Sequence, residues 1–201
     1  MSARIFLLLA TIVMATACNH PIPRLGNAGR YLEGREQFLR GRSGDIDKAI
    51  ESLEAVVKDD PGYKDSLTLL GRAYYRKERY RDAYAVLQRA LAVNKEDEIA
   101  WFTLGLTQLR IQDDQRGLES LKGAITLLAK LSVGGYRDYP NWDSNNQVRT
   151  AIRRCALMVT KGLESKAEIL SSSETLLARM DEEENYQRID KPRQFQREYG
   201  R

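Results

Sequence analysis

A chain of 201 residues, 42% hydrophobic and 30% charged, suits one globular domain or a small repeat array with enough apolar material for a core. Its formal net charge of +4 falls to +3 if Arg4 leaves with residues 1–17. That is too mild for the concentrated basic face that nucleic acid requires. Two cysteines, Cys18 and Cys155, exclude a disulfide scaffold and a multi-cysteine zinc site, and the single histidine, His20, leaves little for imidazole catalysis.

The chain opens on a short positive start with Arg4. The 13 uncharged, mostly apolar residues 5–17 follow. A transmembrane helix needs about 20 apolar residues, so this length fits the apolar region of a secretory signal ending in small residues. Residues 1–17 are therefore read as a signal peptide. Ala15, Ala17 and Cys18 resemble the bacterial lipobox, in which small residues precede a cysteine. The resemblance implies a diacylglyceryl group on Cys18, cleavage before it and acylation of its new amine. Several acyl chains anchor durably where one does not. The lipobox usually has Leu where Ala15 stands, and Ala15-Thr16-Ala17 also fits ordinary signal peptidase, which would leave a soluble periplasmic or secreted protein. Asn19 in place of Asp implies outer rather than inner membrane, facing the periplasm. Residues 18–29, rich in Pro and Gly, read as a flexible linker. His20 lies in it without the further ligands that zinc needs.

From residue 30 a period of 34 emerges. Ala49, Ala83 and Gly117 align as small residues, and Leu53, Leu87 and Leu121 are identical. Ile50, Tyr84 and Leu118 form an apolar column, as do Val57, Leu91 and Ile125. Earlier in the unit Leu67 pairs with Trp101, Leu70 with Leu104 and Gly71 with Gly105. Within a unit, Leu67, Leu70, Gly71 and Tyr74 make one helical stripe, and Ala83, Leu87, Ala90 and Leu91 another. A polar turn, Arg76–Asp82, lies between. The expected class is all-α: a helix–turn–helix solenoid of about three repeats over 30–131, with C-terminal capping helices.

"WFTLG" at 101–105 and the repeat-ending Pro61 make this stretch resemble the tetratricopeptide repeat family. Departures are present: Lys95 and Ala129 replace later prolines, and Gln108 replaces an aromatic. The first helix of repeat one loses register, and a slide of two residues, with "GRSG" as a longer turn, brings in Tyr31 and Phe38.

Residues 132–145 break the period and read as a loop. Its Tyr136, Tyr139 and Trp142 either pack back on the last repeat or serve a partner. Residues 146–189 read as C-terminal helices. Val148, Ile152, Cys155, Val159 and Leu163 share an apolar face opposite Arg149, Arg153 and Lys161, which predicts a capping helix with a buried, inert Cys155. Ser171 and Glu174 suggest a capping box and a break near 171. Leu163, Leu170 and Leu177 at heptad spacing suggest instead one long helix and a possible homodimer. The acidic run 181–185 reads as solvated, and 190–201 as a disordered tail.

The sequence carries no phosphate loop, HExxH or serine elbow. No cofactor, metal or catalytic residue is assigned. In the family that the repeats resemble, the first helix of each repeat lines a concave groove. By register this places Asp65, Thr68, Arg72, Tyr75 and Arg76 of repeat two there, with Ile99, Phe102, Leu106, Leu109 and Arg110 of repeat three. The candidate peptide-binding residues are Arg72, Tyr75, Arg76, Phe102 and Arg110, suited to an acidic or C-terminal peptide through charge-assisted hydrogen bonds. The apolar members of repeat three are either open to a partner or covered by the helix at 146–163. The Asn residues with which chaperone-tail-binding relatives clamp their ligand are absent. The expected role is a non-enzymatic scaffold or assembly factor binding protein partners in the bacterial envelope. Two alternatives remain: an oligomeric structural protein joined through 146–189 with its groove self-filled, and a regulatory subunit of an envelope enzyme.

Overall fold

The computed structural model describes residues 26–134 and 142–199, with side chains described for 26–130 and 142–188. Cys18, the signal, most of the linker, Tyr136 and Tyr139 lie outside the described residues. Eight α-helices run through the rest: α1 Asn27–Leu39, α2 Ile46–Asp59, α3 Ser66–Arg76, α4 Tyr80–Val93, α5 Glu98–Arg110, α6 Asp114–Gly134, α7 Gln147–Lys161 and α8 Lys166–Tyr199. Short 3-10 turns at Gly41–Ser43 and Leu163–Ser165 punctuate the order. The helices pack as hairpins, α1 with α2, α3 with α4, α5 with α6 and α7 with α8, and each hairpin packs on the next. The architecture is the all-α helix–turn–helix solenoid that the periodicity predicts.

One contact repeats through the stack and explains the small-residue column. A Cβ on Gly34 would lie 2.8 Å from Leu53 Cγ, one on Gly71 2.6 Å from Leu87 Cγ, and one on Gly105 2.8 Å from Leu121 Cγ. In each repeat the missing side chain lets the two helices close until a leucine fills the space. The three leucines are fully buried.

That contact also corrects the register of the first repeat. Gly34 is the counterpart of Gly71, so the shift is three residues rather than two. The connection between α1 and α2 is six residues long, 40–45, where those between α3 and α4 and between α5 and α6 are three, 77–79 and 111–113. The extra length is taken up by the 3-10 turn, and Asp45 then caps α2 by accepting from Lys48 N at 3.1 Å.

The three-residue turns share one geometry. Glu78 and Gln112, 34 positions apart, both adopt left-handed backbone, with φ of 58° and 69°. Behind them Arg79 N donates to Tyr74 O and Asp113 N to Gln108 O, each at 2.9 Å. This is the Schellman closure, which satisfies carbonyls that a helix end leaves unpaired.

The chain after the third repeat departs from expectation in four places. The break falls at Gly162, with φ of 79°, and not near 171. Ser171 and Glu174 sit inside a continuous α8, so no capping box forms. Helix α8 continues to Tyr199 through the segment expected to be a disordered tail. Helix α6 also runs to Gly134, so the expected loop at 132–145 starts later than the sequence suggests. Helix α7 does bury Val148, Ile152, Cys155 and Val159, whereas Leu163 lies past its end and is exposed. Its N-terminus is held by the buried Asp143, which accepts from Val148 N at 2.8 Å and Arg149 N at 2.9 Å. Trp142 beside it joins the core. Cys155 is fully buried, 3.1 Å from Ser173 Oγ, and burial pushes its thiol pKa up. It is a packing residue.

Candidate protein-binding groove

Helices α1, α3 and α5 stand side by side and form the concave face. With the register set by the glycines, equivalent positions are Arg35 and Arg72 one turn from Phe38 and Tyr75. Arg35 is a groove residue that the two-residue slide does not name; the slide brings in Phe38, and Gly34 sets its register against Tyr75.

The groove is occupied by the chain's own last helix. Helix α8 packs along α1, α5 and α7. Glu174 accepts from Tyr75 Oη at 2.7 Å and from Arg110 Nη2 at 2.5 Å. Asp181 receives both Arg72 and Arg76. Glu184 pairs with Arg35 at 3.0 Å and with Arg72 at 3.6 Å. Arg188 comes within 4.0 Å of Glu36. As α8 advances, its partners step backwards from repeat three to repeat one.

The spacing has a geometric cause. A heptad of α-helix rises about 10.5 Å, at 1.5 Å per residue. Packed helices lie roughly 8–10 Å apart. One heptad of α8 therefore crosses about one repeat: Glu174 spans α5 and α3, Asp181 meets α3, and Arg188 reaches α1. Leu177 is buried on this side of α8, and Leu170 is partly buried against the core. The heptad column that suggested a dimer packs, at these two leucines, within the chain.

Charge burial is graded along the groove. Arg72 is 4% exposed and Asp181 13%, whereas Arg110 and Glu174 are both over a third exposed. Arg76 also donates to Phe38 O at 2.7 Å. Its guanidinium carbon lies 3.7 Å from the Phe38 ring centre, and that of Arg72 4.7 Å. These are cation–π distances. Burial, and then the Arg72 charge, lower the pKa of Arg76. Burial raises that of Tyr75, opposed by its contact with Arg110 and aided by Glu174.

The candidate residues thus separate. Arg72, Tyr75, Arg76 and Arg110 come together in one groove. Phe102 is fully buried and belongs to the core with Ile99, Leu106 and Leu109. Helix α8 reaches α5 from the C-terminal region, and the helix expected at 146–163 packs chiefly on α6 and α8. Asp65 and Thr68 serve neighbouring elements: Asp65 accepts from Tyr31 Oη at 2.5 Å, and Thr68 donates to Asp97 at 2.6 Å. The acidic run 181–185 is not a solvated face. Asp181, Glu183 and Glu184 are largely buried, and Glu183 accepts from Asp143 N at 3.0 Å. The run reads as solvated in sequence because the arginines that desolvate it lie about a hundred residues away. Beside α8 a cavity of about 740 Å³ remains, with Arg40, Arg42, Tyr80 and Asn185 in its wall. Among the described residues no group of three or more His, Cys, Asp or Glu is placed to hold a metal.

Comparison with known proteins agrees with this architecture. Residues 42–109 match the model of the tetratricopeptide repeat family. No curated protein matches the sequence. Among solved structures, the TPR2B domain of yeast Sti1, in a complex with pHsp70, is 17% identical with a TM-score of 0.51, covering 67% of this chain and 96% of that one. The crystal structure of MamA is 18% identical with a TM-score of 0.50, covering 86% of this chain and 84% of that one. At such identities the likeness is one of fold. Tetratricopeptide repeats generally mediate protein–protein interaction and generally serve as non-catalytic scaffolds. Residues 42–109 are therefore similar to tetratricopeptide repeats, within a solenoid whose groove the chain's own last helix threads.

Proposed function

We propose that this chain is a non-enzymatic, lipid-anchored protein-binding module of the bacterial envelope, acting as a scaffold or assembly factor. The observation that carries the protein-binding part is the row of guanidiniums Arg35, Arg72, Arg76 and Arg110 along one concave face, meeting carboxylates of a helix. Such a row gives charge-assisted, direction-selective recognition. The envelope part rests on sequence: Arg4, the apolar residues 5–17, and Ala15 and Ala17 before Cys18. Asn19 favours the outer membrane, with the lipid on Cys18 and the repeats facing the periplasm. Among the described residues no helix is long and apolar enough to cross a membrane, so in this reading the attachment is the lipid.

Crosslinking in the native envelope, followed by identification of attached proteins, tests the scaffold role. A chain that captures no protein there sinks it. Cys18→Ala should end lipid labelling and release the protein from membranes; unchanged labelling removes the anchor. A second reading, a structural oligomer joined through 146–189, draws on the filled groove. Sedimentation separates the two, since a dimer lost on deletion of the C-terminal helices favours the oligomer.

A further inference from the structure

Helix α8 has two chemically different sides. One carries Ile169, Ser173, Leu176 and Met180, all buried, with Ser173 against Cys155 of α7. That side is an apolar helix–helix seam. The other carries Glu174, Asp181 and Glu184 and meets the repeats through arginines. Burying an apolar seam is a net gain that water does not return on opening. A desolvated ion pair is different. Its Coulomb attraction is largely offset by lost hydration, and separation gives that hydration back. The α7–α8 seam is therefore the durable contact, and the contact of α8 with the groove is the exchangeable one.

The same geometry specifies what can take its place. The acceptors fall at i, i+7 and i+10, set by the match between a helical heptad and the repeat spacing. The apolar Leu177 at i+3 lies between them. The cavity beside α8 leaves part of the arginine row reachable while α8 is docked.

We propose that α8 is an intramolecular placeholder, and that the groove's ligand in trans is an acidic amphipathic helix of a partner protein. That helix bears carboxylates at i, i+7 and i+10 around an apolar residue at i+3, and α8 gives way to it. The inference rests on the protein-binding reading above but names the class of partner and the competition that gates it.

The test uses the full chain and a labelled synthetic peptide of residues 166–188, followed by fluorescence anisotropy. In the chain carrying Glu174→Lys and Asp181→Lys, like charges drive α8 from the arginines. This variant should bind the peptide at least about tenfold more tightly than wild type. Binding should weaken with added salt, and should vanish when Glu174, Asp181 and Glu184 of the peptide are replaced by Gln. Equal affinity of the two chains, or full binding of the Gln peptide, overturns the proposal. If circular dichroism shows that the lysine variant loses helix, the milder Glu174→Gln, Asp181→Asn chain takes its place with the same expected order. A wild-type dimer that exchanges α8 between copies also overturns it, since the occupant is then a second copy. The peptide assay needs no native partner. A chain that takes the peptide but captures nothing in the envelope keeps this inference and loses the scaffold role.

Discussion

Arg72 and Asp181 stand 109 positions apart and meet almost out of solvent. Arg76 is a second partner for Asp181, and Glu184 for Arg72. Truncating one residue leaves a buried charge with only that second partner. Arg72→Ala and Asp181→Ala should therefore each cost up to about 3 kcal/mol of stability. Arg72→Met combined with Asp181→Leu should cost less than either alone. Urea denaturation of the cycle measures this, and additive losses would show the two groups to be independent.

The glycines should answer in opposite directions. On Gly105 a Cβ would sit 2.9 Å from Leu121 N and 3.0 Å from Gly117 O, both backbone atoms that cannot swing aside. Gly105→Ala should destabilise by about 1–3 kcal/mol. Gly123, inside α6, has nothing within 4 Å of its Cβ position. Gly123→Ala should stabilise by about 0.5–1 kcal/mol, because the unfolded chain loses freedom at no steric cost. Thermal melts of the two variants give the signs directly.

The inter-helix turns hold a further gain. Glu78 and Gln112 are in left-handed backbone that a Cβ disfavours. Replacing either by Gly should stabilise by up to about 1 kcal/mol, and the two effects should add, since the sites are in separate turns. A drop in melting temperature for both would mean that their side chains matter more than their backbone.

Alkali should loosen the stack. Tyr31, Tyr74 and Tyr75 donate their hydroxyls to Asp65, Glu54 and Glu174. Their pKa values are raised, first by burial and in part by these carboxylates, that of Tyr74 from 10.0 to about 12. For an acid raised on folding, the unfolded chain releases its proton first. The stabilisation is complete below pH 10, the unfolded value, and is lost as pH rises through the folded values. Melting temperature should fall from about pH 10 upward, in step with tyrosinate absorbance. Tyr74→Phe should flatten part of that fall.

The repeats were legible because their determinants are local and periodic. Leu53, Leu87 and Leu121 recur at a fixed step, and Gly71 and Gly105 face the last two of them as the columns imply. The same step placed Arg72, Tyr75, Arg76 and Arg110 on one face, but it also placed there Ile99, Phe102, Leu106 and Leu109, which are core. Repeat one was misread by one residue because the two-residue slide was guided by Tyr31 and Phe38, whereas Gly34 makes the contact that sets the register. Occupancy of the groove was not legible. Nothing near 174–184 in sequence marks Asp181 and Glu184 as largely buried, or Glu174 as paired with the repeats. Their partners lie 64 to 149 residues upstream, and only the matching of helical rise to repeat spacing brings them together.

The backward order in which α8 meets the repeats has a kinetic consequence. Each repeat closes through contacts between neighbours in sequence, so the solenoid can form as its residues emerge. The ions that fill the groove close loops of 64 to 152 residues. Such closures carry the largest entropy and come late. A newly made chain therefore passes through an interval in which its repeats are complete and its arginine row is bare. Refolding should show a final, salt-slowed phase that vanishes when the acidic stripe is neutralised. In that interval an acidic helix from elsewhere meets no rival.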